Sequence, residues 1–363
     1  MKPTQKLHEA GQSLWLDNIT RAMLRDGVLK GYIEELSVTG LTSNPTIFDK
    51  AISGGDAYDQ QIAELSPDAE SAEEIFFELA IADLRDATEL FAEVHRRTAH
   101  VDGYCSLEVS PKIADDTQAT IDQAAYLHSK TGRDNLYVKI PGTKAGLPAI
   151  EQSIYAGIPI NVTLLFSAGQ YRAAAEAYLR GIERRLAAGL DPKVGSVASL
   201  FVSRWDVAIH DRVPAQRRNR LGIAIAQRTY KAYRELLGSA RWQKLATAGA
   251  RPQRLLWAST GTKDPDAPDT LYVEALAAPD TVNTMPDKTL KAFAEHGRVG
   301  KPLPADGGDA EAVIAGYRQL GIDDAALALQ LQREGAASFR MSWDALLAGL
   351  ERKRAQLGEA AAR

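Results

Sequence analysis

A single cysteine, Cys105, occurs in 363 residues, so the chain can form neither an intramolecular disulfide nor a multi-cysteine metal site. That usage suits a reducing compartment, and the expected location is cytoplasmic. The six histidines (His8, His95, His100, His128, His210 and His296) fall in neither an HxH nor an HExxH spacing, so no metal site is expected. No apolar run approaches the length of a membrane-spanning helix. Residues 1–6 are not followed by the apolar core of a secretory signal. Lysine and arginine number 43 against 47 aspartates and glutamates, a formal net charge of −4, which offers no global basic field to nucleic acid. Gly300-Lys301 runs into Pro302, which breaks a phosphate-loop pattern. No Gly-x-Ser-x-Gly elbow is present either.

What is present is an ordinary globular composition, 45% hydrophobic and 25% charged. The length admits one large barrel or two smaller domains. Short apolar segments alternate with longer helical patterns almost from the start. Strands are expected at residues 12–17, 38–44, 104–109, 135–143, 158–165, 194–202, 254–258 and 281–285. Helices are expected between them, including 19–30, 71–97, 116–130, 146–156 and 167–188. Three more helical patterns, 309–320, 323–334 and 336–357, close the chain. Eight strand-then-helix units suggest α/β architecture, a single (β/α)8 TIM barrel over residues 1–363 with additional C-terminal helices at about 309–357. The competing doubly wound sheet wants a glycine-rich turn after its first strand, and Asp17-Asn18-Ile19-Thr20 has no glycine.

The stretch Asn135-Leu-Tyr-Val-Lys-Ile-Pro-Gly-Thr143 places one lysine inside a β-branched and aromatic strand. A buried ammonium without a partner is costly to desolvate, and a neutral amine in a dry pocket is a nucleophile. Lys139 is therefore the first candidate for chemistry. In a barrel the site lies at the C-terminal ends of the strands, and those ends are polar here: Asp17, Thr42 and Asn44, Glu108, Lys139, Asn161 and Thr163, Ser199. Each alone has a bland explanation. Asp17 suits a helix N-cap, Asn44 before Pro45 suits a turn, and Glu108 suits a structural ion pair with Lys139. Asn161 and Thr163 suit a solvated edge, Arg204 an exposed surface, and Cys105 a packed core. A ring of polar side chains converging on one mouth is harder to explain in that way.

Lysine, acid and base together suggest Schiff-base chemistry, in which an iminium becomes the electron sink for breaking an adjacent C–C bond. Glu108 and Asp17 would move protons, one of them through a water held by Thr163. Asn44 and Asn161, each donor and acceptor, suit sugar hydroxyls, and Arg204 with Ser199 suits a phosphate.

These motifs resemble the transaldolases. The likeness runs through Leu14-Trp-Leu-Asp17, Gly40-Leu-Thr-Ser-Asn-Pro45, Ser106-Leu-Glu108, Val138-Lys-Ile140, Asn161-Val-Thr-Leu-Leu-Phe-Ser167 and Ser199-Leu-Phe-Val-Ser-Arg204. Trp257-Ala-Ser-Thr-Gly-Thr-Lys263 and Asn283-Thr-Met-Pro286 look like the last two strand motifs of longer bacterial members. Thr42-Ser43 replaces a commoner Thr-Thr, and Leu200 stands where shorter members often carry proline. The resemblance implies transfer of a dihydroxyacetone unit from sedoheptulose 7-phosphate to glyceraldehyde 3-phosphate in the pentose phosphate pathway. It implies Lys139 as the Schiff-base residue, Asp17 and Glu108 as acid/base groups and Thr163 as water holder. It implies substrate contacts from Thr42, Asn44, Asn161, Ser199, Phe201 and Arg204, no cofactor and no metal. The expected partners are small sugar phosphates, not nucleic acid or membrane, with monomer and homodimer both open. A fructose 6-phosphate or related Schiff-base aldolase is the nearer alternative. A non-catalytic sugar-phosphate-binding barrel is the remoter one, and it would be expected to lack the lysine or the acid.

Overall fold

A computed structural model describes residues 1–361. Eight parallel strands follow one another around a closed barrel, with β1 hydrogen-bonded to both β2 and β8. They are β1 Gln12–Asp17, β2 Val38–Thr42, β3 Tyr104–Glu108, β4 Leu136–Pro141, β5 Ile160–Leu165, β6 Ser196–Phe201, β7 Gln253–Ala258 and β8 Thr281–Met285. The (β/α)8 expectation holds, and every expected strand is present within a few residues of its expected ends.

Because side chains alternate along a strand, one set of positions lines the lumen in layers. Below lie large rings: Trp15 and Tyr137 have centroids 5.9 Å apart, and Tyr137 stacks on Tyr104 at 4.0 Å. Two residues further along each strand come Asp17, Lys139 and Ser106. The lower layer explains Gly40, since a Cβ there would stand 2.6 Å from Trp15 Nε1. That indole donates instead to Asp102 at 2.8 Å, so the barrel floor is a packed aromatic plug.

Helix starts follow local chemistry. Ser71, Asp116 and Ser167 each accept a backbone N–H in the first turn of the helix they precede. Glu74, three residues after Ser71, accepts from the backbone N–H of Glu70 at 3.0 Å and not from that of Ser71. The helix expected at 19–30 is two, Arg21–Arg25 and Val28–Leu36, separated where Gly27 turns left-handed at φ +74°. Helices at Pro3–Glu9, Pro45–Ser53, Ala240–Thr247 and Leu271–Ala275 were not expected.

The main correction concerns the end of the chain. The two helices expected at 323–334 and 336–357 are one, Asp324–Ala361. Gly335 looks like a stop because glycine costs helix stability, yet it sits mid-helix. A Cβ at Gly335 would lie 3.0 Å from Leu164 Cδ2, so glycine lets the helix approach the end of β5. Leu164 itself is left-handed at φ +60°, and its carbonyl accepts from Gln332 at 3.0 Å. Gln332 also donates to Gly142 beyond β4 at 3.1 Å, and Thr46 donates to Ser342 at 2.9 Å. These ties lay the helix across the mouth of the barrel on the side of β2 to β5.

Candidate active site

The mouth contains a cavity of about 380 Å³. It brings together nine of the ten residues expected at the site: Asp17, Thr42, Asn44, Lys139, Asn161, Thr163, Ser199, Phe201 and Arg204 all line it. Glu108 does not. It is 5% exposed and sits behind Lys139.

Strand register sets the centre. Glu108 on β3 lies opposite Lys139 on β4, which lies opposite Asn161 on β5. Lys139 is 6% exposed; its Nζ donates to the Ser43 carbonyl at 2.9 Å and stands 3.5 Å from Glu108 Oε2. That oxygen has no hydrogen-bond partner among the described residues. Withdrawal from water pushes the Glu108 carboxyl above the ordinary glutamate value; Lys139 pulls it back and Asp17 pushes it further up. The ion pair considered from sequence is thus present, with a carboxylate ready to hold a proton.

Asp17 ends β1 and does not cap the next helix, where Thr20 accepts from Met23 N. Burial raises Asp17, opposed first by Lys139, then by the hydrogen bond from Thr42 and by Lys263. Thr42 Oγ1 lies 2.8 Å from both Asp17 Oδ1 and Thr284 Oγ1. Asn44 combines both of its readings. Its Oδ1 caps the helix beginning at Pro45, accepting from Ile47 N at 3.1 Å, while the residue lines the cavity.

Asn161 and Thr163 lie on no edge, because β5 is hydrogen-bonded on both sides. Ser199 Oγ donates to Asn161 Oδ1 at 2.7 Å, and Asn161 Nδ2 donates to Ser106 Oγ at 3.2 Å. Ser199 therefore orients the Asn161 amide with the proton that a phosphate would need. Thr163 is 1% exposed, and its buried hydroxyl finds no hydrogen-bond partner among the described residues. An orphaned buried hydroxyl on a cavity wall suits a bound water or substrate oxygen.

Four basic side chains, Lys50, Lys139, Arg204 and Lys263, line the cavity against the single carboxylate of Asp17. Arg204 is part-buried above the Phe201 ring, 5.5 Å from its centroid. Burial lowers its guanidinium from the ordinary value and Glu334 raises it. Lys50 and Lys263 stand exposed at the rim. An anionic substrate is the natural complement.

Sequence reasoning gave no role to Lys50, Lys263, Thr284 or Phe339. Lys263 ends the Trp257 to Lys263 motif and could have been found there. Phe339, on the long C-terminal helix, carried no signal. Its ring centroid is 5.9 Å from Lys139 Nζ. Cys105 is fully buried, and burial pushes its thiol well up, so it packs outside the site. Among the described residues no group of three or more His, Cys, Asp or Glu is placed to hold a metal ion.

The model of the transaldolase/fructose-6-phosphate aldolase family matches residues 14–350. The chain belongs to that family. It is 44% identical to a transaldolase of Parafrankia sp. (strain EAN1pec), with 99% of each chain covered. It is 45% identical to a transaldolase of Arthrobacter sp. (strain FB24), with 96% of each covered. A transaldolase of Thermobifida fusca is 44% identical over 95% of this chain and 96% of its own. The family match takes in every strand from β2 to β8 and most of the long helix across the mouth.

Proposed function

We propose that the chain is a transaldolase that moves a dihydroxyacetone unit from sedoheptulose 7-phosphate to glyceraldehyde 3-phosphate through a Schiff base on Lys139. The observation that carries this reading is Lys139, a nearly buried lysine 3.5 Å from an equally buried Glu108, on the wall of a cavity lined by cations. The amine attacks the ketose carbonyl, water leaves, and the C3–C4 bond breaks as its electron pair moves toward the iminium nitrogen. Asp17 shuttles protons at the mouth, and Glu108 acts through Lys139 or a water on Thr163. Thr42, Asn44 and Asn161 bind hydroxyls, with Ser199 holding Asn161 in place. Arg204 takes the phosphate, with Lys263 and Lys50 at the rim. Phe201 backs Arg204. The imine supplies the electron sink, so the reading requires no cofactor and no metal. No helix among the described residues is long and apolar enough to cross a membrane; the proposed setting is the cytoplasm, with sugar phosphates as partners.

The test is borohydride reduction in the presence of fructose 6-phosphate, followed by mass spectrometry. A reduced three-carbon adduct on Lys139 is expected. An adduct on another lysine, or an active but unmodified protein, defeats the proposal. The family's own description also admits a fructose 6-phosphate aldolase, which would release free dihydroxyacetone. Cleavage that depends on an aldehyde acceptor favours the transferase; equal cleavage without one favours the aldolase. The non-catalytic barrel loses its basis, because the lysine and both acids are in place.

A further inference from the structure

The Phe339 ring lies 5.9 Å from the Lys139 nitrogen, yet it comes from the far end of the chain. It is part-buried on the helix Asp324–Ala361 and packs against the inner cluster that contains Leu164, Phe166 and Phe201. Three features fix it there. Gln332, two turns earlier, holds the carbonyls of Gly142 and Leu164. Gly335 permits close approach to Leu164. On the other side of Phe339, Trp343 donates to Glu73 at 2.9 Å and packs on Phe76 and Phe77.

Resting on the Schiff-base reading of Lys139, we propose that Phe339 decides between transfer and hydrolysis of the three-carbon intermediate. After C–C cleavage the dihydroxyacetone unit remains on Lys139 as an enamine. In transfer, the enamine carbon forms a C–C bond to the acceptor's aldehyde carbon, and the aldehyde oxygen takes a proton. In the wasteful branch, a solvent proton adds to that carbon and the enamine π pair becomes the new C–H bond. The resulting iminium adds water at carbon, the C–N bond breaks, nitrogen keeps the pair, and free dihydroxyacetone leaves.

The two kinds of water come from different directions. The water that serves imine formation belongs beside Thr163, inside the strand layer, where the orphaned hydroxyl can hold it. Bulk water arrives through the mouth, on the side Phe339 covers. The ring therefore excludes the solvent that would quench the enamine while leaving the Thr163 side free. Its face also meets Nζ at cation–π distance, which favours the cationic iminium that must form before cleavage. Phe339 is in this sense a specificity-determining residue for the acceptor, aldehyde against water.

The test compares wild type, Phe339→Leu and Phe339→Ala by the ratio of free dihydroxyacetone released to product transferred at saturating acceptor. Borohydride trapping on Lys139 is measured in parallel. The expected result is a ratio raised about tenfold in Phe339→Ala and by less in Phe339→Leu, which keeps apolar bulk but loses the π face. A slower enzyme with an unchanged ratio would mark Phe339 as structural packing and overturn the inference. Phe339→Leu carries the comparison alone if the alanine variant does not fold. Failure of the wild-type protein to form the Lys139 adduct is a separate outcome, and it would overturn the Schiff-base reading together with this one.

Discussion

Glu108 and Lys139 face each other across the β3–β4 register, 3.5 Å apart, with both side chains all but closed to solvent. A buried pair of this kind contributes little net stability, because desolvation offsets most of the attraction. In the proposed mechanism its value lies in proton transfer. Glu108 is held above its ordinary value by burial, so it can accept a proton that an ordinary surface glutamate would not keep. Glu108→Gln is expected to lower kcat by roughly 10²–10⁴-fold, while Lys139 remains available for borohydride trapping. In wild type, activity should fall as pH drops and the raised carboxyl protonates, so the acid limb of kcat/KM is expected above the ordinary glutamate range. In Glu108→Gln that limb should be governed by Asp17, also raised by burial. A pH–rate profile of the two proteins checks this, and superimposable acid limbs would assign the titration elsewhere.

Thr163 gives a prediction in which stability and activity move in opposite directions. Its hydroxyl is buried and unpaired among the described residues, so Thr163→Val removes a group that lacks a protein partner and preserves shape. Stability should be unchanged or rise by about 1 kcal/mol. Activity should fall roughly ten- to a hundredfold if the hydroxyl holds the water that serves proton transfer. Thermal melting together with steady-state kinetics decides it. A variant that is destabilised yet fully active would show that Thr163 is structural.

The barrel and most of the cavity were legible because seven of the nine expected lining residues lie on short strands, and Asn44 and Arg204 follow a strand end by two and three residues. Alternation and Gly/Pro punctuation speak there, and a polar residue at a strand's end contrasts with its apolar neighbours. Lys139 between Val138 and Ile140 is such a contrast. The rest of the site depends on distance contacts that no local pattern reports. Gly335 looks like a helix stop, whereas its reason is Leu164, 171 positions away along the chain. Phe339 is one apolar residue on a helix stripe until that helix lies over the mouth. Ser199 looks like a phosphate ligand, and only its 2.7 Å bond to Asn161 shows where its proton goes.

Depth separates the cations. Arg204 is part-buried, and if it holds the phosphate as proposed, losing it removes a charge-assisted contact with little water to compensate. Arg204→Ala should raise KM for fructose 6-phosphate by the equivalent of about 1.5–3 kcal/mol. Lys263, exposed at the rim, should cost about 0.5–1 kcal/mol when changed to alanine, an effect that fades with added salt. KM at low and high ionic strength distinguishes the two. Equal losses at both sites, independent of salt, would place Lys263 on the phosphate itself.

Asp206 lies two residues past Arg204 and ties that segment to the helix Leu221–Gly238. Its carboxyl accepts from Leu221 N at 3.0 Å, Gly222 N at 3.2 Å and Tyr272 OH at 2.9 Å. These bonds favour the ionised form, yet burial outweighs them and pushes the group up to about 6. Between an unfolded value of about 3.9 and that folded value, the folded chain binds more protons than the unfolded one. On account of this group, stability therefore falls as pH rises through that interval. The loss amounts to about 3 kcal/mol, with little change above or below. Asp206→Asn does not titrate there, so the stability difference between variant and wild type should shift in the variant's favour by about 2 kcal/mol from pH ~4 to pH ~6, and by the full amount from pH ~3 to pH ~7. Denaturant unfolding of both proteins across the interval measures it. A pH-independent difference would mean that the three hydrogen bonds, not burial, set the charge state of Asp206.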